Sequence, residues 1–298
     1  MYTIAALYHF SPISDLPSLQ KSVRSKCESL EIKGTLLLAY EGINGTVAGS
    51  KSSIDQLLVF LGTLPEFSGL EWKLSESSDE PFNKLKVRLK KEIVTMGQAN
   101  VDPRGAVGQY VEAENWNDFI NSDDVVVIDT RNDYEVAIGT FEGAINPETK
   151  SFRDFPAWWE KNKKRFENQR IAMFCTGGIR CEKSTSYLKG QGVKDVFHLK
   201  GGILKYLEKI PENESTWNGE CFVFDGRVSV GHGLEVGPHQ MCFGCRRPIM
   251  PEDIKKDDFE LGVSCHQCFK ETSHQDKERF RERQKQIELS KKRTAQSP

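Results

Sequence analysis

Residues 125–128, Val-Val-Val-Ile, form an unbroken β-branched run inside the segment DVVVIDTR (124–131). β-Branched side chains suit an extended backbone. A strand that is apolar on both faces has to be covered on both, as at the centre of a parallel sheet. RIAMFC (170–175) and DVFHLKGG (195–202) read the same way, the last ending in paired glycines, and helical stretches lie between them at 152–166 and 181–190. Strands alternating with helices predict a doubly wound α/β domain, which we place at residues 122–216.

Ligands of such sheets bind beyond the carboxyl ends of the strands. Cys175 stands there, directly after Ile171–Phe174, at the head of CTGGIRC (175–181), and a helix is expected to follow. Gly177 and Gly178 permit backbone conformations that other residues resist. The loop Thr176, Gly177, Gly178, Ile179 and Arg180 can therefore curl with its N–H groups inward, a nest for an anion beside a helix N-terminus. N–H groups aimed at the Cys175 sulfur would favour its thiolate. Arg180, five residues on, can close the cradle with a charge-assisted hydrogen bond. The C-x4-R loop is one residue tighter than the C-x5-R loop of phosphotyrosine phosphatases and suits a sulfur-borne anion better than a phosphate. Cys181 has two readings. It resolves a persulfide or sulfenate on Cys175, or it packs in the first helical turn.

The segment ahead of this domain has a different pattern. TIAALYHF (3–10), TLLLAY (35–40), GTVA (45–48) and LEWKL (70–74) read as strands. Asp15 with Pro17 starts one helix, carried by Leu16, Leu19, Val23, Cys27 and Leu30. Ser53 and Gln56 form a capping-box pattern ahead of a second, with Leu57, Leu58 and Leu61. The order β-α-β-β-α-β predicts a ferredoxin-like (acylphosphatase-like) domain over 1–96. In KLKVRLKK (84–91), Lys84, Lys86, Arg88 and Lys90 alternate with Leu85, Val87 and Leu89. That strand presents either a solvated basic face or a track for a phosphate backbone. Residues 97–121, with Gly97, Pro103, Gly105 and Gly108, read as a linker.

The last third changes texture again. GECFVFDGRVSVGHG reads as strand, turn and strand, with Asp225–Gly226 at the turn. CFGC (242–245) and CHQC (265–268) are two C-x2-C knuckles separated by 19 residues. Cys242, Cys245, Cys265 and Cys268 fit a four-thiolate structural Zn2+ site that holds a small module with little core of its own. An iron–sulfur centre and unligated thiols are the alternatives. We assign 217–272 to this module of a hairpin plus four cysteines and 273–298 to a basic polar tail. Residues 270–298 carry 9 basic and 5 acidic side chains, whereas residues 1–100 carry 11 of each, within a net charge of −2. A polyanion would therefore be met at the ends of the chain. No apolar run approaches the ~20 residues of a membrane span, and the N-terminus lacks the features of a signal peptide, so we expect a cytoplasmic protein that does not enter a membrane. Eight cysteines are then not a disulfide framework, and Cys27 and Cys221 read as small buried hydrophobes.

Four phrases come in the order and spacing of a rhodanese domain: VIDTRNDYE (127–135), GAINP (143–147), FCTGGIRCEKS (174–184) and LKGGI (199–203). The resemblance makes Cys175 the nucleophile. It assigns Asp129, Arg131 and Glu135 to a motif that braces the active-site loop from a neighbouring strand. Over residues 1–270 the whole chain resembles the bacterial tRNA uridine-34 hydroxylase family, on EGINGTV (41–47), CTGGIRCEKS and GECFVFD (219–225). This implies conversion of uridine to 5-hydroxyuridine at the wobble position of tRNA, with O2 as co-substrate, an electron donor the sequence does not identify, and the anticodon loop as partner. Lys84, Lys86, Arg88 and Lys90 are then candidates for tRNA contact. Trp158 and Trp159, adjacent on a helix, read as packing residues. No GxGxxG follows a strand, and the six histidines form no two-His-one-carboxylate pattern. One chemistry that an activated thiolate suits is addition of Cys175 to C6 of uracil, which makes C5 enolate-like. The residues without the resemblance point to a rhodanese-type sulfurtransferase or persulfide carrier, and a non-catalytic tRNA-binding module is a third reading. Oligomeric state is not legible.

Overall fold

The chain was analysed as a computed structural model that describes residues 1–98 and 100–295, with side chains through 290. It divides into two units, 1–235 and 236–298.

The first unit begins with β1 (Tyr2–Phe10), α1 (Leu16–Ser29), β2 (Lys33–Ala39), β3 (Gly42–Gly49), α2 (Lys51–Gly62), β4 (Glu71–Ser77) and β5 (Leu85–Leu89). The sheet order is β4-β1-β3-β2-β5. β1 runs antiparallel to β3 and β4, and β5 joins β2 in parallel at the edge. The ferredoxin-like pattern is present, extended by that fifth strand. Alternation along the strands explains why helices cover one face only. Ala5, Leu7, Leu36, Leu38, Ile43 and Val47 pack under Leu19, Val23, Leu57 and Leu61 of the helices. Asp15 caps α1 by accepting from Ser18 N–H at 3.1 Å. α2 starts earlier than its capping-box pattern suggests: Ser50, not Ser53, is the cap, accepting from Ser53 N–H at 3.0 Å. In β5, Val87 is buried but Leu89, expected on the same covered face, is 40% exposed at the end of the edge strand.

Next come β6 (Gln109–Val111), α3 (Ala113–Ile120), β7 (Val125–Asp129), α4 (Asp133–Val136), β8 (Gly139–Phe141), α5 (Phe155–Asn162), β9 (Arg170–Phe174), α6 (Ile179–Gly190), β10 (Val196–Leu199) and α7 (Gly202–Lys209). β6-β10-β9-β7 is an all-parallel sheet. Successive residues of β9 serve opposite cores. Ala172 and Phe174 pack with Trp116, Ile203 and Tyr206, while Ile171 and Met173 pack with Phe155, Trp159 and Leu188. Two boundaries differ from expectation. Residues 109–120, expected as linker, are an edge strand and a helix of this sheet, because Gln109–Val111 pairs with β10 and Trp116 is fully buried. The hairpin strands also belong here rather than to the cysteine module. β11 (Trp217–Gly219) pairs with β8, β12 (Cys221–Phe222) pairs with β13 (Ser229–Val230), and Trp217, Cys221, Val223 and Val230 complete the sheet's core.

The second unit contains β14 (Gln240–Met241), β15 (Pro248–Ile249) and α8 (His274–Ala295). Its apolar cluster is built on Cys242, Ile249, Cys265 and Cys268. The basic tail is helical through Ala295 and residues 296–298 lie outside the described residues. Arg281 pairs with Glu260, and Arg283 donates to the carbonyls of Phe243 and Gly262, which fixes α8 to the module. No described helix is long and apolar enough to cross a membrane.

A buried cysteine loop as the candidate active site

β9 ends at Phe174, and Cys175 follows with no exposed surface. Gly178 takes φ 108° and directs its N–H at the Cys175 sulfur, 3.1 Å away. A side chain there would be strained and would meet the Tyr8 hydroxyl at 2.8 Å. From below, Ile203 N–H donates to Cys175 C=O at 2.9 Å and Leu204 N–H to Thr176 C=O at 3.1 Å. Gly202 makes that grip possible, because a Cβ at its φ of 68° would lie 2.4 Å from the Cys175 carbonyl. The paired glycines were visible in the sequence, but their partner was not.

Burial by itself pushes the Cys175 thiol up. The hydrogen bond from the Cys181 side chain, the Arg180 charge, and the N–H groups of Cys181 and Gly178 outweigh it and hold the thiol down at about 5. Cys181 moves the other way: burial and the neighbouring Cys175 push it well above an ordinary thiol. Its sulfur also lies 3.6 Å from the Thr130 hydroxyl.

Arg180 does not close the cradle as a free donor. Its guanidinium makes two hydrogen bonds to the Glu135 carboxylate, at 2.6 and 2.7 Å, and reaches Thr176 Oγ1 at 3.3 Å. It acts on Cys175 through its charge. Burial pushes Glu135 up, but the Arg180 charge and hydrogen bonds outweigh it and keep the carboxyl below its ordinary range. Of the three expected bracing residues, only Glu135 touches the loop, and it does so from α4 rather than from a strand. Asp129 and Arg131 are fully buried and pair with each other at 2.6 Å. Arg131 also donates to Gly139 C=O, Thr140 donates to Asp129, and the guanidinium lies 5.1 Å from the Trp217 ring centroid. This pair therefore ties β7 to β8 and β11, and Arg131 also donates to the C=O of Glu135, the residue that holds the loop, at 3.3 Å.

The ferredoxin-like domain supplies the facing wall, which the sequence reading missed. Tyr8 donates to Glu182 at 2.9 Å and Lys73 to Gly177 C=O at 2.8 Å, while Tyr110, from β6 of the parallel sheet, donates to the same Glu182 at 3.1 Å. Burial pushes Glu182 up and Lys73 down. Lys183, almost wholly buried, donates to Glu41, Glu92 and Val94 C=O at 2.7–3.1 Å. Glu182 and Lys183 sit inside CTGGIRCEKS, and Glu41 opens EGINGTV, so both phrases are one joint in space. Between the walls lies a cavity of about 510 Å3, lined by Cys175, Thr176 and Arg180, by Tyr8 and Lys73, and by Phe224 of the hairpin. Phe224 is 56% exposed, and its ring centroid lies 6.0 Å from the Arg180 guanidinium. Gly177 and Ile179 are half-buried on the loop's open side. Lys84, Lys86, Arg88 and Lys90 are not among the lining residues. Lys86 and Arg88 pair in register with Thr35 and Leu37, which do line the cavity, so they extend the cavity's face of the sheet to its edge, and their side chains make no ion pair or hydrogen bond among the described residues.

In the second unit, Cys242–Cys268, Cys245–Cys265 and Cys265–Cys268 place their sulfurs 4.0, 3.9 and 3.9 Å apart. Four thiolates about 2.3 Å from a tetrahedral Zn2+ lie about 3.8 Å from one another, so the four sulfurs fit such an ion with little movement. A metal can be held here.

Comparison with known proteins agrees with this architecture. Residues 2–93 match a UPF0176 acylphosphatase-like domain and residues 112–209 a rhodanese-like domain. The chain is 62% identical to a tRNA uridine(34) hydroxylase of Roseobacter denitrificans, over 98% of this chain and 99% of that one. It is 67% identical to the protein of that name from Ruegeria pomeroyi, over 98% and 97%. With the Brucella canis protein of that name the identity is 54%, over 99% and 96%.

Proposed function

The chain belongs to the tRNA uridine(34) hydroxylase family, and on that premise we propose that it hydroxylates C5 of the wobble uridine with O2 as co-substrate, Cys175 being the residue that attacks the base. The observation that carries this reading is a thiol held as thiolate at the floor of a cavity closed by two domains. At about 510 Å3 the cavity falls within the ~300–1,000 Å3 of small-molecule sites. It has room for a base drawn out of the anticodon loop, as single-stranded RNA recognition and base chemistry require. Phe224, exposed at its wall, offers a stacking face to that base.

Thiolate addition to C6 saturates the 5,6-bond and places electron density at C5. One oxygen atom of O2 then ends on C5 and the other leaves as water, which takes up two electrons and two protons. Cys175 is poised for the first step because the Cys181 side chain, Arg180 and two N–H groups stabilise its anion. Lys84, Lys86, Arg88 and Lys90 are proposed phosphate contacts for the tRNA. Asp129 and Arg131 are proposed to hold the frame behind the loop, and Glu135 to hold Arg180. Zn2+ on Cys242, Cys245, Cys265 and Cys268 is proposed as structural, and the cytoplasm, where tRNA is, as the location.

A rhodanese-type sulfurtransferase is the second reading, favoured by the domain match over 112–209. The test replaces the chromosomal gene with Cys175→Ala and measures wobble nucleosides of total tRNA by mass spectrometry. Loss of 5-hydroxyuridine derivatives is expected. Unchanged oxidised nucleosides with altered thiolation would favour the second reading, and full function of Cys175→Ala would favour a binding module. A tRNA with 5-fluorouridine at position 34 should trap a Cys175 adduct on competent enzyme.

A further inference from the structure

Cys181 has no task in the chemistry so far, yet it is placed against the reacting sulfur. Both cysteines are wholly buried, in one cluster with Ile128, Met173 and Leu188. The Cys181 side chain and N–H are among the groups that hold the Cys175 thiol down. Thr130 Oγ1 holds the Cys181 sulfur from the other side, at 3.6 Å. Cys175 directly follows β9 and lines the cavity, and Cys181 lies behind it in the first turn of α6, so the short loop between them carries both thiols. Hydroxylation by O2 consumes two electrons and two protons, and a dithiol that closes to a disulfide releases two of each.

We propose that the Cys175–Cys181 dithiol is the two-electron donor of the hydroxylation, with Cys181 as the resolving residue. The proposal rests on the reading above, in which Cys175 attacks uridine and O2 is the oxidant. The Cys175 thiolate bonds to C6, and C5 bonds to O2 as a peroxide that takes a proton. Loss of the C5 proton expels the thiolate and restores the 5,6-double bond, leaving a 5-hydroperoxide. The freed thiolate attacks the outer peroxide oxygen. The O–O bond breaks, the inner oxygen takes a proton as the 5-hydroxyl, and Cys175 becomes a sulfenic acid. Cys181 attacks that sulfur, an S–S bond forms, and the sulfenic oxygen leaves with the Cys181 proton as water. In sum, uridine, O2 and two thiols give 5-hydroxyuridine, water and a disulfide. An external thiol reductant resets the pair by exchange. Burial and the adjacent thiolate keep Cys181 protonated until Cys175 is oxidised, so the resolving thiol waits its turn.

The test uses full-length protein, reduced and then freed of small thiols, with O2 and tRNA carrying unmodified uridine-34. Product is counted by nucleoside mass spectrometry and thiol state by peptide mapping. Trypsin cuts after Arg170, Arg180 and Lys183, so the disulfide would join peptide 171–180 to peptide 181–183. About one 5-hydroxyuridine per protein is expected, with that linked pair, before the reaction stops, and dithiothreitol should restart it. Cys181→Ser should leave a Cys175 sulfenate that dimedone captures, and should lower multiple turnover in dithiothreitol at least about tenfold. Product formed by the wild type with both thiols still reduced would overturn the proposal, and so would continued turnover by it without any thiol. The wild-type measurement does not depend on how the variant folds. Wild type that makes no 5-hydroxyuridine even with dithiothreitol, or Cys175→Ala that makes it at full rate, would instead overturn the underlying reading.

Discussion

A thiol at the end of a buried strand is ordinarily unreactive, because burial favours its neutral form. At Cys175 that tendency is reversed by partners within the loop: Cys181, Arg180 and the Gly178 N–H. The reactive anion is therefore present above about pH 5 and lost as pH falls below it. Alkylation of Cys175 in the native protein by iodoacetamide, followed by peptide mass spectrometry, should rise through a midpoint near that value and be flat at neutrality. A rate that climbs only near pH 8 or above would show an ordinary thiol. The Arg180–Glu135 pair is nearly as secluded, 7% and 0% exposed. Glu135→Gln keeps the shape but leaves Arg180 without its counter-charge. Breaking a buried pair from one side costs about 3–5 kcal/mol. A loss of that order in urea unfolding is expected, together with altered thiol reactivity.

At the scale of elements, the loop is gripped by two helix N-termini. α6 begins at Ile179, just past Gly178, and α7 begins at Gly202 beneath the Cys175 carbonyl. A methyl group at residue 202 has nowhere to go, and a positive φ there suits glycine alone. Gly202→Ala should cost about 1–3 kcal/mol and push Cys175 off its donors, so that the alkylation midpoint moves up while far-UV circular dichroism is retained. If the midpoint stays in place, the α7 contact does not position the thiol. The elements themselves were largely readable. Val125–Ile128 and Ile171–Phe174 are apolar on successive residues, which only a two-sided sheet satisfies. Residues 109–120 were not, because three strand residues behind a run of glycines look like a linker until β10 pairs with them.

For the molecule as a whole, the joint between the two domains of the first unit is electrostatic as well as apolar. Lys183 holds Glu41 and Glu92, and Arg227 donates to Ser75 at 2.8 Å. Burial pushes Glu92 up, but hydrogen bonds from Lys183, Met96 and Gly97 outweigh it and hold it below its ordinary range. A depressed carboxyl contributes stability that is complete above its unfolded pKa and is lost as pH falls through the folded one. The stability gap between wild type and Glu92→Gln should therefore be constant at neutral pH and narrow in acid, as measured by urea unfolding at several pH values. The second unit can hold a metal on its four cysteines, and the Zn2+ proposed there should stabilise it. Its apolar cluster consists largely of the four cysteines. Chelation should expose Cys242, Cys245, Cys265 and Cys268 to a thiol reagent and open residues 240–272 to proteolysis, with zinc recovered by elemental analysis.

The sequence alone determined the local chemistry. It placed Cys175 at the end of a buried strand, gave the loop its glycines, spaced the two C-x2-C knuckles for one ion, and alternated basic and apolar residues along 84–90. Each of these follows from spacing along the chain, which periodicity reads directly. The tertiary structure decided what surrounds the thiol. Tyr8, Lys73 and Phe224 reach the cavity from distant segments of the chain. Arg180 turned out to serve Glu135 instead of the open cradle, and Asp129 and Arg131 to serve the frame behind it. A buried charge takes the nearest opposite charge that packing offers, and no spacing rule says which residue that will be.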